Sequence, residues 1–500
     1  MSYFILRILR LRDNPRKPSH ESEDMSRKDP PVEDPTFLVD VISALNICLF
    51  PPLFFFSALY YTDVISTLVV LFAYTAHLAG SKSQLSFISN VGVLLFGIVS
   101  LFFRQTNIFW VAVFPAGLVV VNALKADAPS PTSSTRDIAA VLQDSWSKGM
   151  IADCSVQDTG VQGAQDHTCL KKNYTDQLLL DVVLFLISTV VAALSKPLLV
   201  LKVAIPYAIL LVLFAGFVAW NGSVVLGKRY SSILGLTELT SKGDKSAHTA
   251  TIHLPQMLYI WPYFAFFSLP LLLGPLLKPV VPILPERLRI TWDQTFKTSI
   301  YRLPSLLAFG SFIAFALLAV HFNTIIHPYT LADNRHYVFY VFKLLRLYPA
   351  LRYLAVPVYC VCAWLIIQAL AAQKTASPPK SKETTSSKGK ADSNLGPANR
   401  QPCQVSFVVI WLATTALSVV TAPLVEPRYF IIPWVIWRLH VPCNVATDQK
   451  ASFGKRKSSE IRLVFEGLWH LAVNLVVSYT FLYRTFTWSS EPGNLQRFIW

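Results

Sequence analysis

The sequence predicts an all-α integral membrane protein, a polytopic helix bundle with about ten to twelve spans. Of its 500 residues, 53% are hydrophobic and only 15% are charged, whereas a soluble domain uses roughly 25% charged residues. The chain also contains a series of apolar runs, many of them close to the roughly 20 residues that a membrane-spanning helix needs. Because backbone groups at membrane depth must be hydrogen-bonded internally, closely spaced apolar runs predict helices.

The candidate spans are apolar segments separated by short polar loops. Several are short or interrupted by proline, as at Pro51 and Pro52, so the predicted number of spans is a range. The runs are residues 37–56, 64–78, 85–103, 108–124, 178–193, 198–220, 254–273, 303–320, 351–372, 405–425, 429–441 and 461–483.

The chain divides into a polar and amphipathic N-terminal segment, residues 1–36, and a multispanning transmembrane domain, residues 37–500. Polar insertions interrupt this domain at about 125–177 and 373–402. The chain begins with MSYFILRILRLRDNPRK, an apolar and basic stretch that is too short to cross a bilayer. We expect it to form a helix in the membrane plane or to be the remnant of a longer segment.

The formal net charge of +15 reflects basic loops between spans rather than a nucleic-acid surface, and basic loops face the cytosol. Residues 278–302, 373–402 and 448–462 are therefore predicted to be cytosolic, and residues 327–348 and 426–428 lumenal. Asn221 begins a sequon that would be lumenal and is a possible glycosylation site. If residues 178–193 span the membrane, the 125–177 loop with its sequon at Asn173 is lumenal, and if they lie in the interface it is cytosolic. Charge does not decide between the two.

Polar clusters lie where four apolar runs end. Charged residues beside membrane helices are costly and mark functional sites by default, although single ones such as Asp63 or Arg104 also serve as helix caps or headgroup anchors. Four consecutive polar side chains in one short loop, residues 333–336, cannot all reach the interface in that way. The candidate residues are Asp63, Arg104, Gln105, Asp333, Asn334, Arg335, His336, Glu426 and Arg428.

The arginines in these clusters point to an anionic ligand. Arginine offers phosphate a planar fork of donors that always carries charge, which suits a polyisoprenyl-phosphate headgroup held at the lumenal surface. No P-loop, GxGxxG, HExxH or GxSxG motif occurs in a plausible setting, no metal-binding DxD is present, and the seven cysteines lack metal-ligand spacing. Isolated histidines such as His77, His253 and His321 are interpreted as core or interfacial residues.

Several of these clusters carry a resemblance to one family. The strings are FPPLFFFSALYYTD, FRQTNIFWV, LADNRHYVFY, EPRYFIIPWVIWRL and the closing QRFIW. They closely resemble the dolichyl-phosphate-glucose-dependent alpha-1,2-glucosyltransferases of asparagine-linked glycosylation, over residues from about 37 to 500.

The resemblance implies a GT-C type bundle in the endoplasmic reticulum membrane with its active side in the lumen. It implies inverting, metal-independent transfer of glucose from dolichyl-phosphate glucose to the diglucosylated dolichol-linked oligosaccharide, with no cofactor. It also implies association with the bilayer, and the sequence leaves open whether the chain works alone or beside other enzymes of the same lipid-linked pathway. On this basis Arg104, Arg335 and Arg428, with Gln105, are candidates for the donor phosphate. Asp333, Asn334, His336 and Glu426 are candidates for sugar hydroxyls or for orienting those arginines.

The sequence departs from the family at its beginning. Family members carry a first lumenal loop with an acidic motif of the type Met-Asp-Glu-Ile-Phe-His that supplies the general base, and this sequence has no such motif. We therefore expect an N-terminally truncated gene model, with Asp63 as the only early lumenal acid left to act as a base. The alternatives are a non-catalytic protein that binds polyisoprenyl phosphate or regulates a partner, and a transporter or flippase, for which no internal repeat is visible.

Overall fold

The chain folds mainly into α-helices. The computed structural model describes residues 1–13, 36–80, 86–128, 138–156, 177–221, 251–277, 280–287, 289–290, 306–371, 403–422, 424–443 and 457–500. The helices are α1 Ser2–Asp13, α2 Phe37–Cys48, α3 Pro51–Ser57, α4 Asp63–Gly80, α5 Ser86–Phe103, α6 Phe114–Asp127, α7 Ile138–Lys148, α8 Gln177–Ser195, α9 Pro197–Asn221, α10 Gln256–Phe267, α11 Leu269–Leu277, α12 Leu306–Asn323, α13 Tyr337–Leu347, α14 Ala350–Leu354, α15 Val356–Gln368, α16 Val405–Val419, α17 Ile431–His440 and α18 Lys457–Tyr483.

Fewer helices qualify as membrane spans than the sequence predicted. Six are long and apolar enough to cross a membrane, and two bent helix pairs raise the number to at most eight, within the residues that the structure describes. The predicted ten to twelve spans are therefore not confirmed. Three further apolar helices fall short by length, and they are Phe87–Phe103, Leu180–Ser195 and Val405–Val419.

A short antiparallel hairpin, which the sequence did not predict, follows α18. Its strands are β1 Phe486–Trp488 and β2 Glu491–Gln496. The register shifts between Thr487 and Trp488, and Gly493, in the bulged part of β2, has φ 105°. Residues with a Cβ rarely adopt that conformation. The strands are only three and six residues long, and six of these nine residues are exposed, so hydrophobic patterning gave no signal for the hairpin.

The first helix packs against the bundle. Ile5, Leu6 and Leu9 of α1 are buried, and Arg10 donates to both carboxylate oxygens of Asp40 in α2, at 2.5 and 3.1 Å. The amphipathic character predicted for this segment thus has a structural use, because its apolar side covers core residues.

Two polar ends of the bundle can be told apart by their contacts. At the end that we call the arginine end, α4 begins at Asp63, beside Arg104. At the opposite end, the insertion end, Lys125 of α6 pairs with Asp153, and Asp153 also accepts from the backbone of Ser406 at 3.0 Å. Both α6 and α16 run between these two ends.

Contacts at the insertion end join the ends of α6 and α8 and the segment that follows α7. The backbone of Cys154 accepts from Val405 at 2.9 Å, which joins the segment following α7 to the start of α16. Lys196, just after α8, pairs with Asp127, the last residue of α6, at 2.6 Å. Residues 127 and 196 therefore lie at the same end of the bundle.

Two of the apolar helices break inside the bundle. α2 and α3 meet at 62°, and α10 and α11 meet at 93°. Pro51 and Pro52 begin α3, where proline cannot supply a backbone donor. Each break frees backbone carbonyl oxygens that lipid cannot hydrogen-bond.

Polar side chains of α18 meet these freed carbonyls. The two ring nitrogens of His470 lie 3.0 Å from the carbonyl oxygens of Asn46 in α2 and Phe267 in α10. Asn474, one turn further, donates to Leu49 O at 2.8 Å, and Trp469 donates to Phe266 O at 2.8 Å. One helix thereby holds both breaks in place.

A buried ion pair fixes α18 against its neighbours. Arg438 of α17 donates twice to Glu466 of α18, both at 2.7 Å, and both side chains are 0% exposed. Asn46 donates to the same carboxylate at 2.8 Å, which leaves the charges paired and hydrogen-bonded. Close approach is possible because a Cβ at Gly467 would lie 2.8 Å from Asn46 Oδ1.

Replacing His470 by alanine should destabilise the bundle. A neutral ring donates to one of the two carbonyl oxygens and an imidazolium to both, so we expect the free energy of unfolding to fall by about 1–2 kcal/mol. Thermal unfolding in detergent measures this. His321→Ala, at an exposed histidine of α12, is the control. Equal melting temperatures for the two variants would contradict the role given to His470.

Candidate functional site

The first part of the site is a buried carboxylate paired with an arginine. Asp63, at the start of α4, is 3% exposed, and its Oδ1 lies 2.6 Å from Arg104 Nη2. Arg104 occupies the turn after α5, where its backbone N–H donates to Ser100 O at 3.2 Å. The turn is held by Asn107, which donates to Ser66 at 2.8 Å and so ties it to α4.

The second part comes from the turn before α17. Arg428 pairs with Glu426 two residues earlier, and both lie within electrostatic range of Asp63. Burial alone would lower the pKa of the Arg428 guanidinium, but the hydrogen bond and charge of Glu426 hold that pKa above its usual value. The arrangement brings together four sequence-predicted residues, Asp63, Arg104, Glu426 and Arg428.

Two tyrosine rings organise these guanidinium groups. Arg104 lies 5.6 Å from the centroid of Tyr429, and Arg428 lies 5.8 Å from it. Arg428 also lies 5.6 Å from the ring of Tyr61. Guanidinium groups over aromatic faces gain electrostatic stabilisation, so the rings keep two cations close together.

The third part is the loop before α13. Asp333 accepts from Arg335 Nε at 3.0 Å and from Arg335 Nη2 at 2.7 Å. Burial would raise the pKa of the Asp333 carboxyl, but hydrogen bonds from Arg335 and its charge hold that pKa below its usual range. Arg335 lies within electrostatic range of Tyr61, which connects this loop to the other two arginines.

The end of the described chain holds the 333–336 loop. Ile499 N donates to Arg335 O at 2.9 Å, and His336 Nδ1 lies 2.8 Å from Trp500 O. In the hairpin, Trp488 donates to Asn334 Oδ1 at 2.7 Å. These partners come from about 150 residues further along the chain, and sequence reasoning did not connect them with the loop.

The three arginines differ in how many donors remain for a ligand. Arg335 uses all three of its nitrogens, two on Asp333 and Nη1 on Gln496 at 3.3 Å. Arg104 and Arg428 each meet one carboxylate through a single nitrogen. Because a guanidinium carries five N–H donors, Arg104 and Arg428 keep donors for a phosphate, while Arg335 is largely committed to holding its loop.

The remaining predicted residues have other positions. Gln105 lies in the turn with Arg104 and is half-buried, and its carbonyl accepts from Ile108 N at 3.1 Å. Asn221 ends α9, which starts beside Lys196 at the insertion end. Asn173 lies outside the described residues.

Sequence reasoning did not name Tyr61, Tyr429, Trp488 and Gln496 as site residues. Tyr61 and Tyr429 are adjacent or close in sequence to chosen residues, so an aromatic beside an arginine was the available signal. Trp488 and Gln496 had no such signal, because their contacts are distant in sequence.

Comparison with known proteins identifies the family. Residues 2–439 match the DIE2/ALG10 family. The chain belongs to this family. A relative from Emericella nidulans is 39% identical, covering 92% of this chain and 78% of its own length. A relative from Pyricularia oryzae is 38% identical, over 93% of this chain and 73% of its own length. A human relative is 28% identical, over 92% of this chain and 72% of its own length.

These relatives share one name, Dol-P-Glc:Glc(2)Man(9)GlcNAc(2)-PP-Dol alpha-1,2-glucosyltransferase. It agrees with the resemblance found in the sequence, and nothing in the comparisons favours the non-catalytic alternative. No solved structure matches this chain.

Removing Arg104 should expose how far Asp63 depends on it. Arg104→Gln leaves a buried carboxylate without its charged partner, so we expect a loss of about 1–3 kcal/mol in the free energy of unfolding. The double variant Asp63→Asn with Arg104→Gln should recover most of that loss. Thermal unfolding of both variants tests this, and a double variant less stable than the single one would refute the coupling.

Proposed function

We propose that this chain adds the terminal alpha-1,2-linked glucose to the diglucosylated dolichol-linked oligosaccharide, using dolichyl-phosphate glucose as donor. The observation that carries the proposal is membership of the DIE2/ALG10 family, whose members compared here are named for that reaction. The site adds a physical reason, because two arginines with unused donors lie side by side at the arginine end.

The reaction requires one bond to form and one to break. The 2-hydroxyl oxygen of the acceptor glucose attacks C1 of the donor glucose from the side opposite the phosphate. The C1–O bond to phosphate breaks, and dolichyl phosphate leaves with the bonding electrons. A carboxylate takes the hydroxyl proton.

Arg104 and Arg428 are assigned to the donor phosphate. Their positive charges stabilise the negative charge that develops on the leaving phosphate oxygen, and they are already fixed by their carboxylates and by Tyr429. Preorganised charge of this kind is the largest contribution in many enzymes. Metal-independent transfer, without a cofactor, is part of the proposal.

Asp63 is assigned as the general base. Its Oδ1 is occupied by Arg104, while Oδ2 is buried and has no hydrogen-bond partner among the residues that the structure describes. That second oxygen is the one that can accept the acceptor hydroxyl. Asp333, Asn334 and His336 are assigned to shaping the site rather than to the proton transfer, because their partners lie within the chain.

The setting of the reaction is also proposed. We place the chain in the endoplasmic reticulum membrane, as a GT-C type bundle of ten to twelve spans. The arginine end faces the lumen and the insertion end the cytosol. Asn221 would then be lumenal and open to glycosylation, and enzymes acting on the same lipid-linked oligosaccharide would be neighbours.

Asp63→Asn should reduce glucose transfer by about 10²–10⁴-fold, because the amide cannot accept the proton. The assay follows labelled glucose from dolichyl-phosphate glucose to the diglucosylated acceptor in membranes that express the full chain. Asp40→Asn is the matched control, since Asp40 is also buried and paired with an arginine but lies outside the site. Full activity in Asp63→Asn would remove Asp63 from the mechanism.

Chelation of divalent cations should leave the transfer rate unchanged, because arginines carry the charge that a metal supplies elsewhere. The same membranes are assayed with and without excess EDTA, beside a metal-dependent glycosyltransferase whose activity must fall. A loss that added Mg²⁺ or Mn²⁺ restores would count against the assignment of Arg104 and Arg428.

A further inference from the structure

Several buried polar atoms near the arginine end lack a partner within the described part of the chain, and three of them belong to side chains linked by shared neighbours. They are Asp63 Oδ2, Tyr263 Oη and Trp500 Nε1. An unpartnered buried polar atom costs free energy, so three of them in one region call for a ligand that satisfies them.

Contacts place two of the three side chains, Tyr263 and Trp500, against one aromatic ring. Tyr263 lies one turn before the break that ends α10, and its ring packs against Phe267 at 4.9 Å. Trp500 packs against the same Phe267 ring at 5.8 Å. Tyr263 lies within electrostatic range of Asp63. Its ring also packs against Phe430 at 5.2 Å, and Phe430 is adjacent in sequence to Tyr429, the ring that Arg104 and Arg428 approach.

The chemistry of these atoms differs from that of the arginine pair. A carboxylate oxygen accepts hydrogen bonds, an indole N–H donates, and a phenol does both. Hydroxyl groups of a sugar can satisfy all three, whereas a phosphate would be repelled by the carboxylate.

We propose that Asp63, Tyr263 and Trp500 line a hexose subsite on the inner side of the arginine pair. The inference rests on the proposed glucosyl transfer and deepens it by naming residues that hold a sugar. The hexose is either the donor glucose, joined to the phosphate at the arginines, or the terminal glucose of the acceptor.

The test pairs Tyr263→Phe with substrates that lack single hydroxyl groups. Two series are used, deoxyglucose donors on dolichyl phosphate and diglucosylated acceptors deoxygenated in the terminal glucose. In the unmodified protein, one analogue should be transferred about tenfold more slowly, the effect of one lost hydrogen bond. In Tyr263→Phe the transfer rate of the natural substrate should fall by a similar factor. The rate with that deoxygenated analogue should then equal the rate with the natural substrate.

The controls separate binding from folding. Tyr359→Phe removes another buried hydroxyl, from the cluster around Ala316, Val320 and Val356. This variant should transfer the natural substrate at the normal rate and the deoxygenated analogue as slowly as the unmodified protein does. Trp500→Phe provides a second variant. The deoxygenated substrate that lacks the hydroxyl bound by Trp500 should be transferred by this variant no more slowly than the natural substrate. Each variant is compared at equal amounts of folded protein, measured by size-exclusion chromatography.

The outcomes are distinct. If a variant no longer distinguishes a deoxygenated donor from the natural donor, the result supports a donor-glucose subsite. If it no longer distinguishes a deoxygenated acceptor from the natural acceptor, the result supports an acceptor subsite. If Tyr263→Phe and Trp500→Phe keep every penalty of the unmodified protein, the subsite is refuted while the transfer reaction stands. If the unmodified full chain transfers no glucose, the proposed function itself fails.

Discussion

Lipid offers no hydrogen bonds to a helix that breaks inside the membrane, and the rest of this structure follows from that constraint. The break after α2 lets α3 turn toward Tyr61 and Asp63, and the break after α10 ends the helix that carries Tyr263. Both depend on His470 and its neighbours on α18 to satisfy the freed carbonyls. Residues in the middle of the bundle therefore determine where the polar groups at its end can lie.

Charge at the arginine end is balanced before any ligand arrives. Each arginine has its own carboxylate, so the protein holds the cations close together without an unpaired charge. A phosphate therefore gains donors and positive charge already in place, but it also meets nearby carboxylates. This favours a ligand whose negative charge increases during the reaction, because the attraction grows as the leaving phosphate forms.

Much of this could be predicted from the sequence where the signal is local. Long apolar runs such as α9 and α18 were recognised, and so were arginines in short loops. The insertion near residue 150 could not be placed from charge, because its position in the bundle rests on contacts such as Lys196 with Asp127 and Lys125 with Asp153. The hairpin and its hold on Asn334 were not predictable, since pairing between segments about 150 residues apart leaves no periodic pattern.

The strap formed by residues 488–500 has a consequence for biosynthesis. A membrane protein is inserted from its N-terminal side as it is translated, so Asp63, Arg104 and Arg428 can be in place while ribosomes are still decoding the hairpin. The 333–336 loop gains its partners only when Gln496, Ile499 and Trp500 have emerged. The protein is therefore built so that a nascent chain remains incomplete as a binding site until translation has passed these residues.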